Sequence, residues 1–371
     1  MTETFRQELV SSANVMVVGC GALGNEVLKN LVLMGVRHLV IVDFDRIETD
    51  NLTRSIFFTL DDARDNRKKT EVIAERLKSM NKETEVQSIC GDIAYDVGLG
   101  LFRKMDVVIG CVDNRWARYC INRLCMRAGK PWVDGAIDRT EGTARVFKPN
   151  MNCYACNLGP EGLRDLTFRM PCAGTVKRDV EAGKVPTTSI AASVIGAVEV
   201  QEALKIICNS GDSLCGKMFY YEGMNLTTKI AGFKAYDEDC PVHEKWEPVV
   251  NAIITNSNTV SEVLDALDKV FETNGCSLCL INDSFVDWIT RRDKDERISV
   301  MCPGHQVATH IEKVNDIKGI PLSEFYQHEY RQIDREFPYQ GLTLKELGIP
   351  EEDVIYVNTC NGVRYVELSK M

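Results

Sequence analysis

Three groups of residues in this 371-residue chain have the types and spacing that chemistry requires. The first is Gly19-Cys20-Gly21-Ala22-Leu23-Gly24, whose glycines permit a tight turn and let backbone N–H groups point at a phosphate. Asp43 closes the next apolar run, where a carboxylate can accept hydrogen bonds from ribose hydroxyls. Alone, this pair equally marks a dinucleotide-binding oxidoreductase. The residues that follow shift the balance: Asp45, Asn51 and Arg54 come next, then Lys69, then Asp113-Asn114 after Cys111. Arg54 and Lys69 suit the charge of a triphosphate and Asp113 suits Mg²⁺, a set for which hydride transfer has no use.

The second group is Cys153-Tyr154-Ala155-Cys156 with Cys240-Pro241-Val242-His243, two pairs each with the two-residue gap that lets both ligands face one ion. Together they make a Cys₃His set that prefers tetrahedral zinc. Cys276 and Cys279 with Cys302 and His305 repeat the spacing and leave a second site open. The apolar Leu278, Leu280 and Ile281 favour a strand there, so Cys276 and Cys279 are read as packing residues. The third group centres on Cys172. It lies in a loop with few apolar neighbours, where Arg164, Arg169, Lys177 and Arg178 outnumber Asp165 and Asp179 and favour a thiolate. Most of the other cysteines, Cys20, Cys90, Cys111, Cys120, Cys125 and Cys208 among them, sit in apolar runs and are expected to be buried hydrophobes.

The elements that must position these groups alternate. Val15–Val18 is a continuous apolar run that reads as a strand buried on both faces. Val27, Leu28, Leu31 and Met34 form one stripe of a helix after Gly24, and His38–Val42 reads as the next strand. A helix at about 62–80, strands near 85–90 and 106–111, a helix at 115–128 and a strand at 132–136 follow. This is a doubly wound α/β layout with a mostly parallel sheet, whose C-terminal strand ends share one crevice. Beyond it come a strand at Thr143–Phe147, a loop-rich stretch at 148–186 and a long helix over Thr187–Cys208 with Ala, Ser and Gly on one face. Strands at 218–221 and 227–233 complete this region. A helix at 259–272, a strand at 278–281, a helical turn at Leu344–Leu347 and strands at 354–357 and 363–368 suggest a smaller α+β module. The expected division is 1–248 and 249–371.

The series from Gly19 through Glu26, Lys29 and Asn30, then Asp43 and Asp45, then Asn51 and Arg54, Lys69, and Asp113-Asn114 with Arg118 resembles the adenylation domain of ubiquitin-like modifier activating enzymes and their ThiF-type relatives. The resemblance covers about residues 14–245. It implies that Gly19, Gly21, Gly24, Asp43, Asp45, Asn51, Arg54, Lys69, Asp113 and Asn114 bind Mg·ATP, and that the chain adenylates the C-terminal glycine of a ubiquitin-like protein. It further implies a closed structural zinc site at Cys153, Cys156, Cys240 and His243. Cys172, ahead of Pro186-Thr187-Thr188 in a short crossover (157–186), becomes the thioester nucleophile. Residues 259–371 resemble more faintly the ubiquitin-fold domain that recruits a conjugating enzyme. A homodimer is also implied, with Arg6 the candidate for an arginine supplied to a partner's ATP, and Ala191, Ala192, Ser193, Gly196 and Ala197 a face that permits close packing. Gly21-Ala22 replaces the family's double glycine. A sulfur-carrier adenylyltransferase and a non-catalytic nucleotide-binding scaffold are the alternatives.

Charge bounds the rest. Lys+Arg 44 against Asp+Glu 54 gives −10, which argues against a nucleic-acid partner. Residues 249–371 hold 12 Lys/Arg and 20 Asp/Glu, a balance of −8 that leaves −2 for residues 1–248. Such an acidic surface suits docking on a basic face. The longest apolar stretch, closed by Glu199, is far short of the ~20 residues a membrane span needs. The opening residues carry no signal pattern, so the cytoplasm is the expected compartment.

Overall fold

The computed structural model describes residues 6–168, 187–294 and 296–370. Cys172, with Arg169, Lys177, Arg178 and Asp179, lies outside the described residues. Two units emerge. The first comprises Met1–Ala94, Phe102–Leu163 and Val185–Lys245; the second comprises Tyr95–Leu101, Arg164–Lys184 and Trp246–Met371.

The first unit is built on one eight-stranded sheet. A short helix, α1 (Gln7–Ser12), precedes β1 (Asn14–Val18), α2 (Ala22–Leu33) and β2 (His38–Val42). After a 3₁₀ turn at Thr49–Thr53 come α3 (Leu60–Arg64), α4 (Lys69–Met80), β3 (Glu85–Ile89), α5 (Leu99–Arg103), β4 (Val107–Gly110), α6 (Arg115–Ala128) and β5 (Trp132–Asp138). Then follow β6 (Glu141–Phe147), α7 (Tyr154–Phe168), α8 (Ser189–Cys208), β7 (Lys217–Glu222) and β8 (Thr227–Gly232). The strand order is β3-β2-β1-β4-β5-β6-β7-β8. The first five strands are parallel and the last three pair antiparallel. Val15 to Val18 are all buried, as a strand covered by helices on both faces requires.

Local chemistry sets the helix ends. The Asn114 side chain accepts from Ala117 N at 2.8 Å and starts α6, and Gly129 at φ 68° ends it. Thr188 caps α8 in the same way, accepting from Ala191 N at 3.2 Å. Where one helix was expected over 62–80 there are two. Asn66 takes φ 49° and Arg67 N donates back to Asp62 O at 3.1 Å, closing α3 in a Schellman-type turn before α4 begins. The stretch read as loop from 148 contains α7, broken at Gly159 (φ 70°). At Gly159 the backbone (φ 70°, ψ 175°) leaves the helical region, so α7 is two helical segments meeting at a kink.

Part of the small-residue face of α8 is used within the chain: Ala191, Ala192 and Gly196 are buried, and a Cβ on Gly196 would sit 3.0 Å from Glu26 Cβ of α2, while Ser193 is half-buried and Ala197 exposed. Cys90, expected to be buried, is exposed just past β3; the other five cysteines of its group are buried.

The second unit is α+β. It holds β9 (Val249–Asn251), α9 (Val260–Val270), β10 (Ser277–Cys279), β11 (Phe285–Arg291), β12 (Arg297–Pro303), α10 (Val307–Ile311), β13 (Phe325–Tyr330), β14 (Gln332–Ile333), β15 (Val354–Thr359) and β16 (Gly362–Glu367). Five strands order as β14-β10-β15-β16-β9 and three as β12-β11-β13. A reciprocal cap between Thr259 and Glu262 starts α9, and its Val260, Val263, Leu264 and Leu267 enter a core with Leu344 and Leu347. Among the described residues, no helix is long and apolar enough to cross a membrane.

Candidate functional site

The order β2-β1-β4 places the exits of three parallel strands side by side, which brings the glycine turn, Asp43–Asp45 and Asp113-Asn114 to one end of the sheet. At Gly19 the chain adopts φ 98°, and an added Cβ would lie 2.5 Å from Cys111 O. Gly24 is equally constrained, since its Cβ would lie 2.0 Å from Gly19 O. At Gly21 an added Cβ meets nothing within 4 Å. Two glycines thus serve packing, and the third leaves an open cradle at the start of α2. No side chain caps that helix start, so its first N–H groups are available to an anion.

Asp43 holds this turn from below. Its carboxylate accepts from Cys20 N at 2.6 Å and from Asp45 N at 2.7 Å, so two of its hydrogen bonds are spent on the protein itself. Burial raises its pKa, and the ammonium of Lys69 opposes that shift. Lys69 opens α4, is buried, and donates from Nζ to Asp45 Oδ2 at 2.6 Å. Burial draws the Lys69 pKa down, but the charges of Asp43 and Asp45 outweigh it and hold the ammonium protonated.

Arg54 donates to Asp50 O at 3.0 Å. Asn51 is spent locally: its Oδ1 accepts from Glu48 N at 3.1 Å and its Nδ2 donates to Asp50. Asp113 is exposed, with Asn114 Nδ2 donating to it at 3.3 Å. Arg6 donates to Cys208 O of its own chain at 3.3 Å.

Sequence reasoning missed three polar groups beneath this end of the sheet. Asn25 is fully buried in the first turn of α2, and its Nδ2 donates to Cys20 O at 3.0 Å and Gly21 O at 2.9 Å. Asp134, fully buried on β5, accepts from Arg118 Nε at 3.0 Å and pairs with Arg145. Arg118 also donates to Val112 O, beside Asp113, and to Gly135 O. Glu199, expected to close an apolar stretch, is fully buried on α8, and neither carboxyl oxygen has a hydrogen-bond partner among the described residues. Burial first, and the charge of Asp134 second, push its pKa well above the usual carboxyl range. A Cβ on Gly135 would collide with that carboxyl at 2.4 Å.

The cysteine–histidine set converges. Cys153 Sγ lies 3.6 Å from Cys156 Sγ and 3.7 Å from Cys240 Sγ, and Cys156 Sγ lies 3.2 Å from His243 Nε2. All four ligand atoms fall within 4.8 Å of one another. Tetrahedral Zn–S bonds of ~2.3 Å set sulfurs about 3.7 Å apart, so the donor set fits zinc. The hydrogen bond between Cys153 and Cys240 lowers the Cys153 pKa and raises that of Cys240, and burial raises that of Cys156, so the fit to zinc rests on the geometry of the four ligand atoms. Asn152 ties the knuckle to the segment before Cys240, donating to Lys234 O at 2.9 Å. Cys276, Cys279, Cys302 and His305 do not form a second such cluster among the described residues. Cys276 is buried in the core of the second unit, and His305 pairs with Asp283.

Residues 1–242 match the ThiF family. Over 231 residues the chain is 31% identical to the SAMP-activating enzyme E1 of Haloferax volcanii, covering 62% of this chain and 80% of that protein. It is 32% identical over 242 residues to a sulfur carrier protein adenylyltransferase of Thermus thermophilus, covering 64% and 84%. It is 31% identical over 234 residues to the mouse (Mus musculus) adenylyltransferase and sulfurtransferase MOCS3, covering 63% of this chain but 48% of that one. A crystal structure of E. coli MccB with ATP shares the fold, with a TM-score of 0.52 at 24% identity over 64% of this chain and 68% of that chain. The chain belongs to the ThiF family.

Proposed function

We propose that this protein adenylates the C-terminal carboxylate of a ubiquitin-like or sulfur-carrier protein. The observation that carries the reading is Lys69, an ammonium buried beside the open glycine cradle and held charged by Asp43 and Asp45. Such a cation faces phosphate chemistry, and the names of the Haloferax and Thermus relatives agree with it. ATP lies with its phosphates on the N–H groups after Gly21, and Asp113 offers the carboxylate for Mg²⁺. The carrier's carboxylate oxygen attacks the α-phosphorus, a new O–P bond forms, and pyrophosphate leaves. Lys69 and Arg54 offset the charge that develops.

In the finer reading, the Cys172 thiolate then attacks the acyl-adenylate carbonyl. A thioester forms, AMP leaves, and the acyl group passes to the cysteine of a conjugating enzyme docked on residues 249–371. Support for this step comes from the position of Cys172 in the sequence, after the first zinc pair and before Pro186-Thr187-Thr188. A second reading stops at the adenylate and serves sulfur transfer; it is favoured by the sulfur-carrier names among relatives aligned over the same part of the chain. A closed zinc site at Cys153, Cys156, Cys240 and His243 would pin α7 to the end of the first unit in either case. A homodimer belongs to this proposal too, although Gly196 of the small-residue face packs on α2 and, of the five small residues, Ala197 alone is exposed.

The test is ATP–pyrophosphate exchange with candidate carriers, followed by a non-reducing gel of wild type and Cys172→Ala. Exchange dependent on a carrier's terminal glycine supports adenylation. A thiol-sensitive adduct lost in Cys172→Ala selects the thioester route; exchange without any adduct selects the sulfur-carrier route. Absence of exchange with every carrier rejects both.

A further inference from the structure

Asn25 makes contacts in two directions. Its Nδ2 satisfies the carbonyls of Cys20 and Gly21, the two residues of the glycine turn nearest the open cradle. Its Oδ1 accepts from Phe57 N at 3.0 Å, three residues after Arg54. Ser55, Phe57 and Phe58 are all buried, so the segment is fixed where that hydrogen bond meets it. A buried amide with every contact made to backbone sets the relative register of the two segments it joins.

We infer that Asn25 is a positioning residue that registers the Arg54 segment on the glycine turn, so that Arg54 and the cradle N–H groups act on one triphosphate. The inference rests on the adenylation reading above. Its physical basis is that charge stabilisation depends on donors preorganised at the developing charge, and small displacements of a remote support are costly. Folding alone does not call for this arrangement. A serine in the first turn of a helix can satisfy the Gly21 carbonyl by itself through an i to i−4 hydrogen bond.

That difference supplies the test, a double-mutant cycle read as kcat/KM for ATP in pyrophosphate exchange by the full chain. Asn25→Ser keeps a donor for Gly21 O and removes the link to Phe57. It is expected to lower kcat/KM about tenfold in the parent, and by less than about twofold when Arg54→Ala is already present. Asn25→Asp keeps the acceptor for Phe57 N–H but exchanges both donors for an oxygen facing the Cys20 and Gly21 carbonyls, so it too breaks the link, and Arg54→Ala should cost less in that background than in the parent. Equal factors for Asn25→Ser in both backgrounds would mean a merely structural role and overturn the inference, leaving adenylation standing. If the unaltered chain shows no exchange, or Arg54→Ala changes nothing, the adenylation assignment of these residues fails first.

Discussion

Lys69 and Glu199 are both buried ionisable groups, and they resolve burial in opposite ways. Lys69 keeps its charge because Asp43 and Asp45 face it, at the cost of desolvating an ammonium. Replacing Lys69 alone by an apolar residue would leave Asp43 and Asp45 without their counter-charge, so the ammonium serves the fold as well as any phosphate at the cradle. Lys69→Met is expected to lower pyrophosphate exchange by about two orders of magnitude. A rate within threefold of wild type would remove Lys69 from the reaction. Glu199 instead keeps its proton. With its folded pKa raised by burial, both states carry the proton below the ordinary carboxyl range of ~4.3. Above that range the unfolded chain ionises and the folded chain does not, so stability falls as pH rises, by at most about 1.4 kcal/mol per pH unit. Glu199→Gln removes this dependence. Its urea midpoint should exceed that of wild type by a margin that widens between pH 5 and pH 8, and a constant margin would show that Glu199 is ionised in the fold.

Among the elements, α7 is held at its start by the cysteine–histidine knuckle and by the bonds of Asn157 Nδ2 to Asn152 Oδ1 and Cys153 O. If zinc occupies the knuckle, the purified protein should contain one equivalent of metal; two equivalents would require a second cluster. Cys156→Ser should lose that metal. Stability should then fall by about 4 kcal/mol if binding was saturated at a thousandfold excess over Kd, with loss of exchange protection concentrated in residues 152–158 and 234–243. A zinc-free variant melting like wild type would make the knuckle dispensable. The way this region differs from its sequence reading is instructive. The strands and helices around the crevice were legible because their apolar runs are local, as at Val15–Val18. The helix α7 was not: its stretch was read as loop, and the backbone at Gly159 does leave the helix between two short segments. The knuckle itself was legible, since two short gaps of fixed length specify it. Asn25, Asp134 and Glu199 were hidden for one shared reason: each is polar, and what makes it informative is burial by chain distant in sequence. Asn114, read as a nucleotide-binding residue, also serves the fold: its Oδ1 caps α6 and its Nδ2 donates to Asp113.

Over the whole molecule, the second unit draws on chain from well before residue 246. That unit includes Tyr95–Leu101, a segment lying between β3 and β4 in the chain. Leu99 is buried, and its N–H donates to Asp353 Oδ1 at 2.7 Å. The Tyr95 ring stacks on His305 with centroids 4.2 Å apart. Cβ atoms on Gly98 and Gly100 would lie 2.4 Å from Glu351 O and 2.3 Å from Glu352 O, so backbone meets backbone there without room for a side chain. Trp246 likewise stacks on Tyr365 at 4.9 Å. A fragment starting at residue 249 lacks all of these contacts. It should be less stable than one starting at residue 246, and both should fall below the same unit within the full chain. In the full chain, Gly100→Val should destabilise the second unit by about 1–3 kcal/mol through overpacking. Hydrogen exchange can localise that loss: protection should drop at residues 351–357 and 364–368 while the amides of β1 and β4 keep theirs. The same comparison separates two ways in which residues 249–371 could serve a docked partner. If the fragment from 249 melts as the full chain does and keeps its exchange pattern, the module is autonomous and the 95–101 segment is incidental to it. If it does not, any partner of that surface acts on a unit that the chain completes from within its own nucleotide-binding half.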